Sequence, residues 1–330
     1  MKTSYHELNP LIRAKETELL SSDDIDRLVK ADSIIEVGKL LEPTIYAPYI
    51  FDGFEYEFEE NLAKEHGQLF DWLKEIAPEP EVVWIYTMRL TFHNLKVLTK
   101  AELTNQNLDH LYQYDGFYSL DELKEAIRTT VSDRLPEGVM ASIREVKEYL
   151  EESAILQGID VIYDRHFLKE QRYLGEKLGY PELLEEIITL IDLTNLIITA
   201  RGITQNRSIG FMTGVLSSSG GISKETFLNF VEKDLATFVE FLESSSYSDF
   251  LAPALENGTI DLVRLEQMKD DYLTSLFQTA QIQAFGPLPL LAFLNAKEIE
   301  GKNLRLIIVG KRSGFPQEEI RKRVRRAYDA

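Results

Sequence analysis

The sequence predicts an all-α fold built from three related helical units, and three observations lead to this prediction. A short motif recurs three times along the 330 residues. Long stretches around it carry apolar residues with the helical period of about 3.6 residues, and almost no segment alternates with the two-residue period of a strand. Because 44% of the residues are hydrophobic and 28% are charged, the chain can bury a substantial core.

The recurring motif is a proline followed fourteen residues later by an Asn-Leu pair. The copies are Pro80 with Asn94, Pro181 with Asn195, and Pro289 with Asn303, at spacings of 101 and 108 residues. Proline at the first helical position loses only an N–H that would be unpaired, and its fixed φ suits a helix. Each copy is therefore predicted to be a helix, including the run Leu304–Val309, which resembles a strand when read alone.

Similar elements flank each copy of the motif. Helix-capping patterns follow it at Ser119, Ser223 and Pro316, and a degenerate copy near the N-terminus is followed by a cap at Ser21. Amphipathic helices precede it over residues 58–76, 143–178 and 262–283. Polar breaks at residues 106–118 and 205–221 then suggest units at 1–112, 113–215 and 216–330, related by a pseudo-threefold rotation.

The composition excludes several classes of protein. Without cysteine the chain has no disulfide framework, cysteine zinc site or thiol nucleophile, which fits a reducing cytosol. Its 55 acidic residues against 36 Lys and Arg give a net charge of −19, so nucleic acid and anionic lipid should be repelled. The N-terminus lacks the apolar segment of a signal peptide. The uncharged run 272–296 is interrupted by Gly286, Pro287 and Pro289, so no transmembrane helix is expected.

No catalytic pattern stands out in the chain. Phosphate-binding loops, His-Glu-x-x-His and Gly-x-Ser-x-Gly are missing, and the five histidines are scattered. The cluster 163–166 (Tyr-Asp-Arg-His) places its Asp and His on different helix faces. Paired acids such as Glu185-Glu186 and Asp270-Asp271 are interpreted as solvated helix faces. The sequence therefore predicts no catalytic residue, no cofactor and no metal ion.

The three repeated asparagines have two interpretations. They line a shared channel or grip a partner at pseudo-threefold positions, or each holds the backbone of the loop that follows its helix. An asparagine amide offers both a donor and an acceptor, and we favour the second interpretation.

The C-terminal segment 302–330 is basic, with a charge of +6 that leaves −25 on the first 301 residues. Its most concentrated bases are Arg321, Arg323, Arg325 and Arg326. The segment is expected to dock on the acidic body of the chain, against the N-terminal segment, or to bind a partner. The two roles do not exclude each other, and these four arginines are candidate interface residues.

The C-terminal part of the chain resembles the C subunits of the archaeal and bacterial V/A-type rotary ATPases, the equivalents of the d subunits in eukaryotic V-ATPases. The residues that carry the resemblance are Pro287–Leu294, Ala296–Glu300, Lys302–Lys311 and Pro316-x-Glu318-Glu319-Ile320. Length, acidity, helical content and the threefold repeat agree with this family along the whole chain.

The resemblance implies a non-catalytic rotor subunit of the central stalk, shaped as a funnel of three helical domains. Its partners would be the shaft subunits of the ATP-hydrolysing head and the cytoplasmic loops of the membrane proteolipid ring. The subunit would lie peripherally at the cytoplasmic face and couple ATP hydrolysis to sodium or proton transport, or serve ATP synthesis. It would bind neither nucleotide nor nucleic acid directly.

Two other classes of function remain open on the residues alone. The same repeats suit a free-standing helical scaffold or adaptor unrelated to membranes. Scattered Asp, Glu and His side chains would also allow a helical enzyme whose site is assembled only in the fold.

Overall fold

The computed structural model describes residues 4–153, 155–256, 258–277, 280 and 282–328. These residues form sixteen α-helices and one hairpin of two-residue strands, so the predicted all-α class is confirmed. The chain divides into two compact units, and neither is a continuous segment. The predicted boundaries 1–112, 113–215 and 216–330 and their pseudo-threefold relation stay predictions, because one compact unit can hold more than one repeat.

Unit 1 comprises residues 1–80, 249–254 and 261–330. Its helices are α1 (Tyr5–Glu16), α2 (Ser22–Lys30), α3 (Ile34–Leu41), α4 (Phe54–Ile76), α14 (Leu262–Leu276), α15 (Leu288–Arg312) and α16 (Gln317–Arg321). Its core joins both ends of the chain, because Leu28, Leu41, Leu62, Leu304 and Ile320 lie in one buried cluster.

Unit 2 comprises residues 81–248 and 255–260. Its helices are α5 (Pro80–Thr104, from its second residue), α6 (Leu120–Thr129), α7 (Glu137–Glu152), α8 (Leu156–Leu178), α9 (Pro181–Thr204), α10 (Ile209–Val215), α11 (Lys224–Leu228) and α12 (Leu235–Glu243). The antiparallel strands β1 (Leu255–Glu256) and β2 (Thr259–Ile260) complete it. The short helix α13 (Ser248–Leu251) begins on the last residue of the segment 81–248.

The three motif copies are the helices α5, α9 and α15, as predicted, with their prolines at the first or second helical position. Eleven residues after each motif asparagine stands a residue with left-handed backbone, at φ 52–71°. These residues are Asn105, Asn206 and Gly314. The N–H of the residue that follows then donates to the carbonyl of the residue five positions earlier. This bond gives a hydrogen-bond partner to a carbonyl at the helix end that would otherwise have none within the helix. All three repeat helices therefore end in the same way.

The carbonyl that accepts this bond belongs to a small residue in every copy, namely Ala101, Gly202 or Gly310. The two glycines allow a close approach by the next helix. A Cβ at Gly202 would lie 2.5 Å from Met212 Sδ, and one at Gly310 would lie 2.8 Å from a side-chain carbon of Ile320.

The predicted caps are present. Ser119 caps α6 and Ser21 caps α2, each in a reciprocal capping box with the acid three residues later. Ser223 caps α11.

Pro316 stands at the N-cap of α16, two residues after the left-handed Gly314. In the same way, Ser208 stands at the N-cap of α10, two residues after Asn206. Pro316 therefore corresponds to Ser208, and the expected correspondence with Ser119 and Ser223 is wrong.

One predicted helix is wrong in its length. Residues 143–178 form parts of two helices, α7 and α8, which pack against each other as an antiparallel hairpin. Glu145 lies 2.7 Å from His166, and Tyr149 donates a hydrogen bond to the Ile155 carbonyl across the connection. Folding back lets two amphipathic faces bury each other, which a single straight helix cannot do. The segment 262–283 ends its helix at Leu276, and Gln278, Thr279 and Gln281 lie outside the described residues.

Candidate functional site

Each repeated asparagine clamps the backbone of one loop residue beyond its helix, and in the second and third copies the short helices α10 and α16 lie between the asparagine's helix and that loop. The side-chain amide donates to the carbonyl of that residue and accepts from its N–H, at donor–acceptor distances of 2.6–2.9 Å. The pairs are Asn94 with Gln113, Asn195 with Ser217, and Asn303 with Arg325. All three asparagines are fully buried. This geometry is what a backbone-holding role requires.

A buried acid three residues before the asparagine fixes the start of the next capped helix in two of the repeats. In α9, Asp192 Oδ1 accepts from the N–H groups of Gly221 and Ile222, at 2.9 and 3.0 Å, directly before the cap Ser223. In α15, Glu300 Oε2 accepts from the Leu20 N–H at 2.6 Å, directly before the cap of α2. The N-terminal helix α2 is therefore held by α15 in the same way as α11 is held by α9.

The first repeat reaches the same result with different residues. Thr91 takes the position of the acid and donates to Asp115 in the following loop. Asp115 Oδ1 accepts from the N–H groups of Phe117 and Tyr118, at 2.8 and 2.9 Å, just before the cap Ser119. The backbone contact thus recurs in the repeats although the side chain that makes it differs.

The basic C-terminal segment docks on its own chain, in the region of the N-terminal segment. Arg321 pairs with Asp26 of α2 at 2.8 Å, and Arg323 pairs with Glu319 at 3.1 Å. The Arg321 guanidinium beside Asp26 holds the pKa of that carboxyl below its usual range. These pairs are partly exposed, so each adds little stability alone.

Asp270 is the main anchor of this segment. Its side chain is only 7% exposed and lies between Lys302 at 3.0 Å and Arg325 at 2.9 Å. Arg326 differs, because its backbone N–H donates to Asp271 while its side chain is exposed. Within the described residues the Arg326 guanidinium has no ion pair.

Two of the acids interpreted as solvated are buried. Asp270 is the anchor just described, and Glu186 accepts from the Tyr86 hydroxyl at 2.6 Å in unit 2. The interpretation was wrong for these two residues because a donor distant in the sequence compensates each buried carboxylate.

The cluster at residues 163–166 does not form a site. Its side chains turn to separate partners: Tyr163 to Thr99, Asp164 to Lys96, and Arg165 and His166 to Glu145. Lys311, from the glycine-flanked segment 310–314, donates to the carbonyls of Val29 and Ala31. Among the described residues there is no group of three or more His, Asp or Glu side chains suited to a metal ion.

Unit 1 contains a buried charge network that the sequence analysis missed. Lys297 Nζ lies 2.9 Å from Glu300, 3.4 Å from Glu65 and 3.1 Å from the Tyr46 hydroxyl, which itself donates to Glu300 at 2.5 Å. The Lys297 and Glu300 side chains are 6% and 4% exposed. The signal was present in the sequence: a Lys–Glu pair one turn apart inside an otherwise apolar part of α15.

The pKa values of this network follow from burial and from the two carboxylates. Burial lowers the pKa of Lys297, but the attraction of Glu300 and Glu65 outweighs it, so the ammonium stays charged. Burial raises the pKa of Glu65, and the attraction of Lys297 offsets this only in part. Burial together with the charge of Glu300 also raises the pKa of Tyr46.

A cavity of about 290 Å³ in unit 1 opens beside this network. Glu65 and Lys297 lie at its buried end, and Leu19, Leu69, Trp72 and Phe293 provide apolar walls. At the more exposed end Lys15 pairs with Glu18 at 2.8 Å. The cavity thus combines an apolar lining with one polar end.

The whole chain is similar to one family of proteins. The family model described as ATP synthase (C/AC39) subunit matches residues 8–323. The C subunit of the V-type sodium ATPase of Enterococcus hirae is 64% identical over 325 residues, which cover 98% of this chain and 99% of that protein. The C subunit of the A-type ATP synthase of Methanocaldococcus jannaschii is 24% identical, over 96% of this chain and 85% of that protein. That of Thermococcus kodakarensis is also 24% identical, over 97% and 90%.

Asn195→Ala is expected to lower the free energy of unfolding by about 2–4 kcal/mol, because it leaves the buried N–H and C=O of Ser217 without partners. Asn195→Asp should destabilise the fold at least as much, since it keeps the acceptor but buries a carboxylate oxygen against the Ser217 carbonyl. Urea unfolding followed by circular dichroism measures both. Thr194→Ala is the control, because that hydroxyl bonds only within its own helix, to the Leu190 carbonyl. Equal stabilities for Asn195→Ala and the control would contradict the clamp.

Glu65→Gln is expected to leave the melting temperature unchanged or higher at about pH 7, because the pKa of Glu65 is raised in the fold. Folding then favours the protonated carboxyl, so the wild type gains stability relative to the variant as the pH falls toward the ordinary glutamate pKa of 4.5. Calorimetry across this range measures the difference. Glu57→Gln on the exposed face of α4 is the control and should run parallel to the wild type. A large loss of stability in Glu65→Gln at every pH would contradict this assignment.

Proposed function

This chain belongs to the family of ATP synthase (C/AC39) subunits, and on that premise we propose that it joins the shaft of a rotary ATPase to its membrane ring. It is an accessory, non-catalytic subunit, and its partners are other subunits of the ATPase. In the proposed role it is part of the central stalk and transmits torque between the ATP-hydrolysing head and the proteolipid ring. The cargo of the complex would be sodium or protons, and the same coupling would serve ATP synthesis.

The observation that carries this proposal is the similarity from end to end to a subunit of a V-type sodium ATPase. The physical properties of the chain support it. A torque-transmitting part must resist deformation, and buried clamps on three helices fasten the loops that would otherwise be soft. In the described part of the chain, no helix has both the length and the apolar character needed to cross a bilayer. The place that we propose for the chain in this complex is peripheral, on the cytoplasmic face of the membrane.

The proposed architecture is a funnel of three helical units related by a pseudo-threefold rotation. The shared ends and clamps of α5, α9 and α15 support three repeats. A socket of this kind would hold a shaft at one end and rest on the cytoplasmic loops of the ring at the other.

The arginine-rich segment is proposed to contact another subunit through the face that remains exposed. Arg321, Arg323 and Arg325 are paired within the chain, whereas the Arg326 side chain is exposed. Within the proposed interface Arg326 thus contacts the partner subunit, and the other three arginines hold the segment in place.

A free-standing helical scaffold is the second candidate, since helical repeats of this kind also suit an adaptor. The two functions differ in what the loss of the gene does to ion transport.

Deleting the gene is expected to separate ATP hydrolysis from ion transport, because hydrolysis belongs to the head and ion passage to the membrane sector. ATPase activity in the cell extract should persist while ATP-driven ion uptake into membrane vesicles disappears, and the intact gene should restore uptake. Persistence of ATP-driven ion transport in the deletion strain would exclude the stalk function and favour the scaffold.

Arg325→Glu and Arg326→Glu form a matched pair that separates folding from partner binding. Arg325→Glu should lower the free energy of unfolding by about 2–4 kcal/mol, because it places a carboxylate against the buried Asp270. Arg326→Glu should leave folding unchanged and weaken binding to membranes of the deletion strain. Thermal unfolding and co-sedimentation measure the two effects. Normal binding of Arg326→Glu would show that this side chain is only solvated.

A further inference from the structure

The connection that precedes a repeat helix is much longer in the third repeat than in the other two. Residues 77–79 join α4 to α5, and residues 179–180 join α8 to α9. The corresponding connection from α14 to α15, here called the long connection, spans residues 277–287. Because two or three residues suffice to join the helices of the other repeats, the fold itself does not require the additional length. Such surface connections are where proteins commonly place binding residues.

One face of α1 holds the backbone of the long connection in place. The amide nitrogen of the buried Asn9 and the guanidinium of Arg13, one turn later, each donate to two of its carbonyls. The four acceptors are the carbonyls of Ala280, Gln283, Ala284 and Gly286. His6 stands one turn before Asn9, so it lies on the same face of the helix. The long connection is therefore ordered within the chain, before a partner binds.

The long connection exposes two large apolar side chains. Ile282 is 88% exposed and Phe285 is 64% exposed. The Phe285 ring lies edge-on to the ring of His6, with 4.6 Å between the centroids, and most of its surface remains open to solvent. A single exposed apolar residue is common, but here two lie within four positions on a backbone that another helix holds. Exposed apolar groups that are fixed in this way mark a surface for binding.

The sequence around these two side chains carries no charge. Residues 272–296 contain no Asp, Glu, Lys or Arg, although the whole chain has a net charge of −19. The centre of a protein–protein interface is depleted of charged residues and enriched in aromatic ones. The long connection therefore has the composition of an interface centre in a chain whose remaining surface is strongly charged.

We propose that the long connection docks on another subunit, where Ile282 and Phe285 insert into an uncharged apolar groove. The inference rests on the proposed function, because that function supplies the partner as a subunit of the same ATPase. It adds the position of one contact on this chain and the chemistry of the surface that receives it.

The chemistry of the long connection favours a protein groove over a lipid surface. Segments that enter an anionic membrane combine apolar side chains with Lys or Arg, and residues 272–296 contain neither base. The acidic chain as a whole is repelled by anionic headgroups. A backbone fixed at four carbonyls lowers the entropic cost of binding to a groove of defined shape, whereas a fluid bilayer requires no defined shape.

Arg13 connects this surface to the C-terminal segment. Besides the carbonyls of the long connection, its guanidinium interacts with Tyr328. Tyr328 stands two residues after Arg326, the exposed arginine that is proposed to contact another subunit. The same arginine thus holds both parts of unit 1, and this arrangement suits one continuous interface.

Two variants test the proposal by different changes. Ile282→Lys places a charge where the groove offers no compensation, and Phe285→Ala removes the aromatic ring. Both side chains are largely exposed, so both variants should keep the melting temperature of the wild type. Ile35→Lys is the matched control, because that isoleucine of α3 is 69% exposed and lies outside the long connection.

The measurement reassembles the complex from its parts. Washed membrane vesicles of the deletion strain are mixed with its soluble extract, and each purified full-length chain is titrated until ATP-driven ion uptake is half-maximal. Ile282→Lys and Phe285→Ala should each raise the required concentration about tenfold or more, because a few side chains at the centre of an interface supply most of the binding free energy. Ile35→Lys should act as the wild type does. Melting temperatures establish that the variants are folded.

The outcomes separate this inference from the proposed function. If the wild type does not restore ion uptake, the proposed function fails and the inference fails with it. If the wild type restores uptake and both folded variants do so at the same concentration, the inference is overturned while the proposed function stands. An equal loss in Ile35→Lys would show that the long connection has no special part, which also overturns it.

Two further measurements test the other occupants. Binding of the wild type, but of neither variant, to protein-free vesicles of phosphatidylcholine and phosphatidylglycerol would assign the long connection to lipid. A dimer of the isolated wild type in sedimentation velocity, absent in both variants, would assign it to a second copy of this chain. Either result would overturn the inference.

Discussion

A buried amide that pairs with both backbone groups of one distant residue is the constraint on which the repeats depend. Each clamp joins the middle of a long helix to a loop residue 19–22 positions later. A backbone N–H and C=O buried in such a loop would otherwise be costly. Asparagine is suited to this task because it supplies one donor and one acceptor in a single plane. The shared left-handed helix ends and the capped helices that follow are then positioned relative to the clamped residue.

The parts of this fold that sequence reasoning could predict are those with a local cause. A proline at the helix start and a serine cap act within one turn, so the repeat helices and the serine caps were predicted correctly. Burial of Asp270 and Glu186 was missed, because their partners Arg325 and Tyr86 lie 55 and 100 positions away. The break between α7 and α8 was missed because the apolar residues of both helices follow the helical period, so the sequence resembles one continuous helix. The network of Glu65 and Lys297 depends on two helices from opposite ends of the chain.

The distribution of charge in unit 1 combines two opposite uses of ion pairs. The basic segment near the C-terminus is largely neutralised within the chain, with Asp26 and Asp270 as its main partners. In the interior, by contrast, two carboxylates share one ammonium. Surface pairs of the first kind contribute little stability individually, whereas an unbalanced charge of the second kind is costly until it is compensated.

The composition of unit 1 from both ends of the chain has a consequence for biosynthesis. Helices α1–α4 leave the ribosome first, but α15 and α16, which complete their core, are made last. Nearly all of unit 2 is one continuous stretch, and it can fold while translation continues. The early segment must therefore remain without its core until synthesis ends, with apolar residues such as Leu28 and Leu62 exposed to chaperones and proteases. A chain truncated before α15 would keep unit 2 and lose unit 1 entirely.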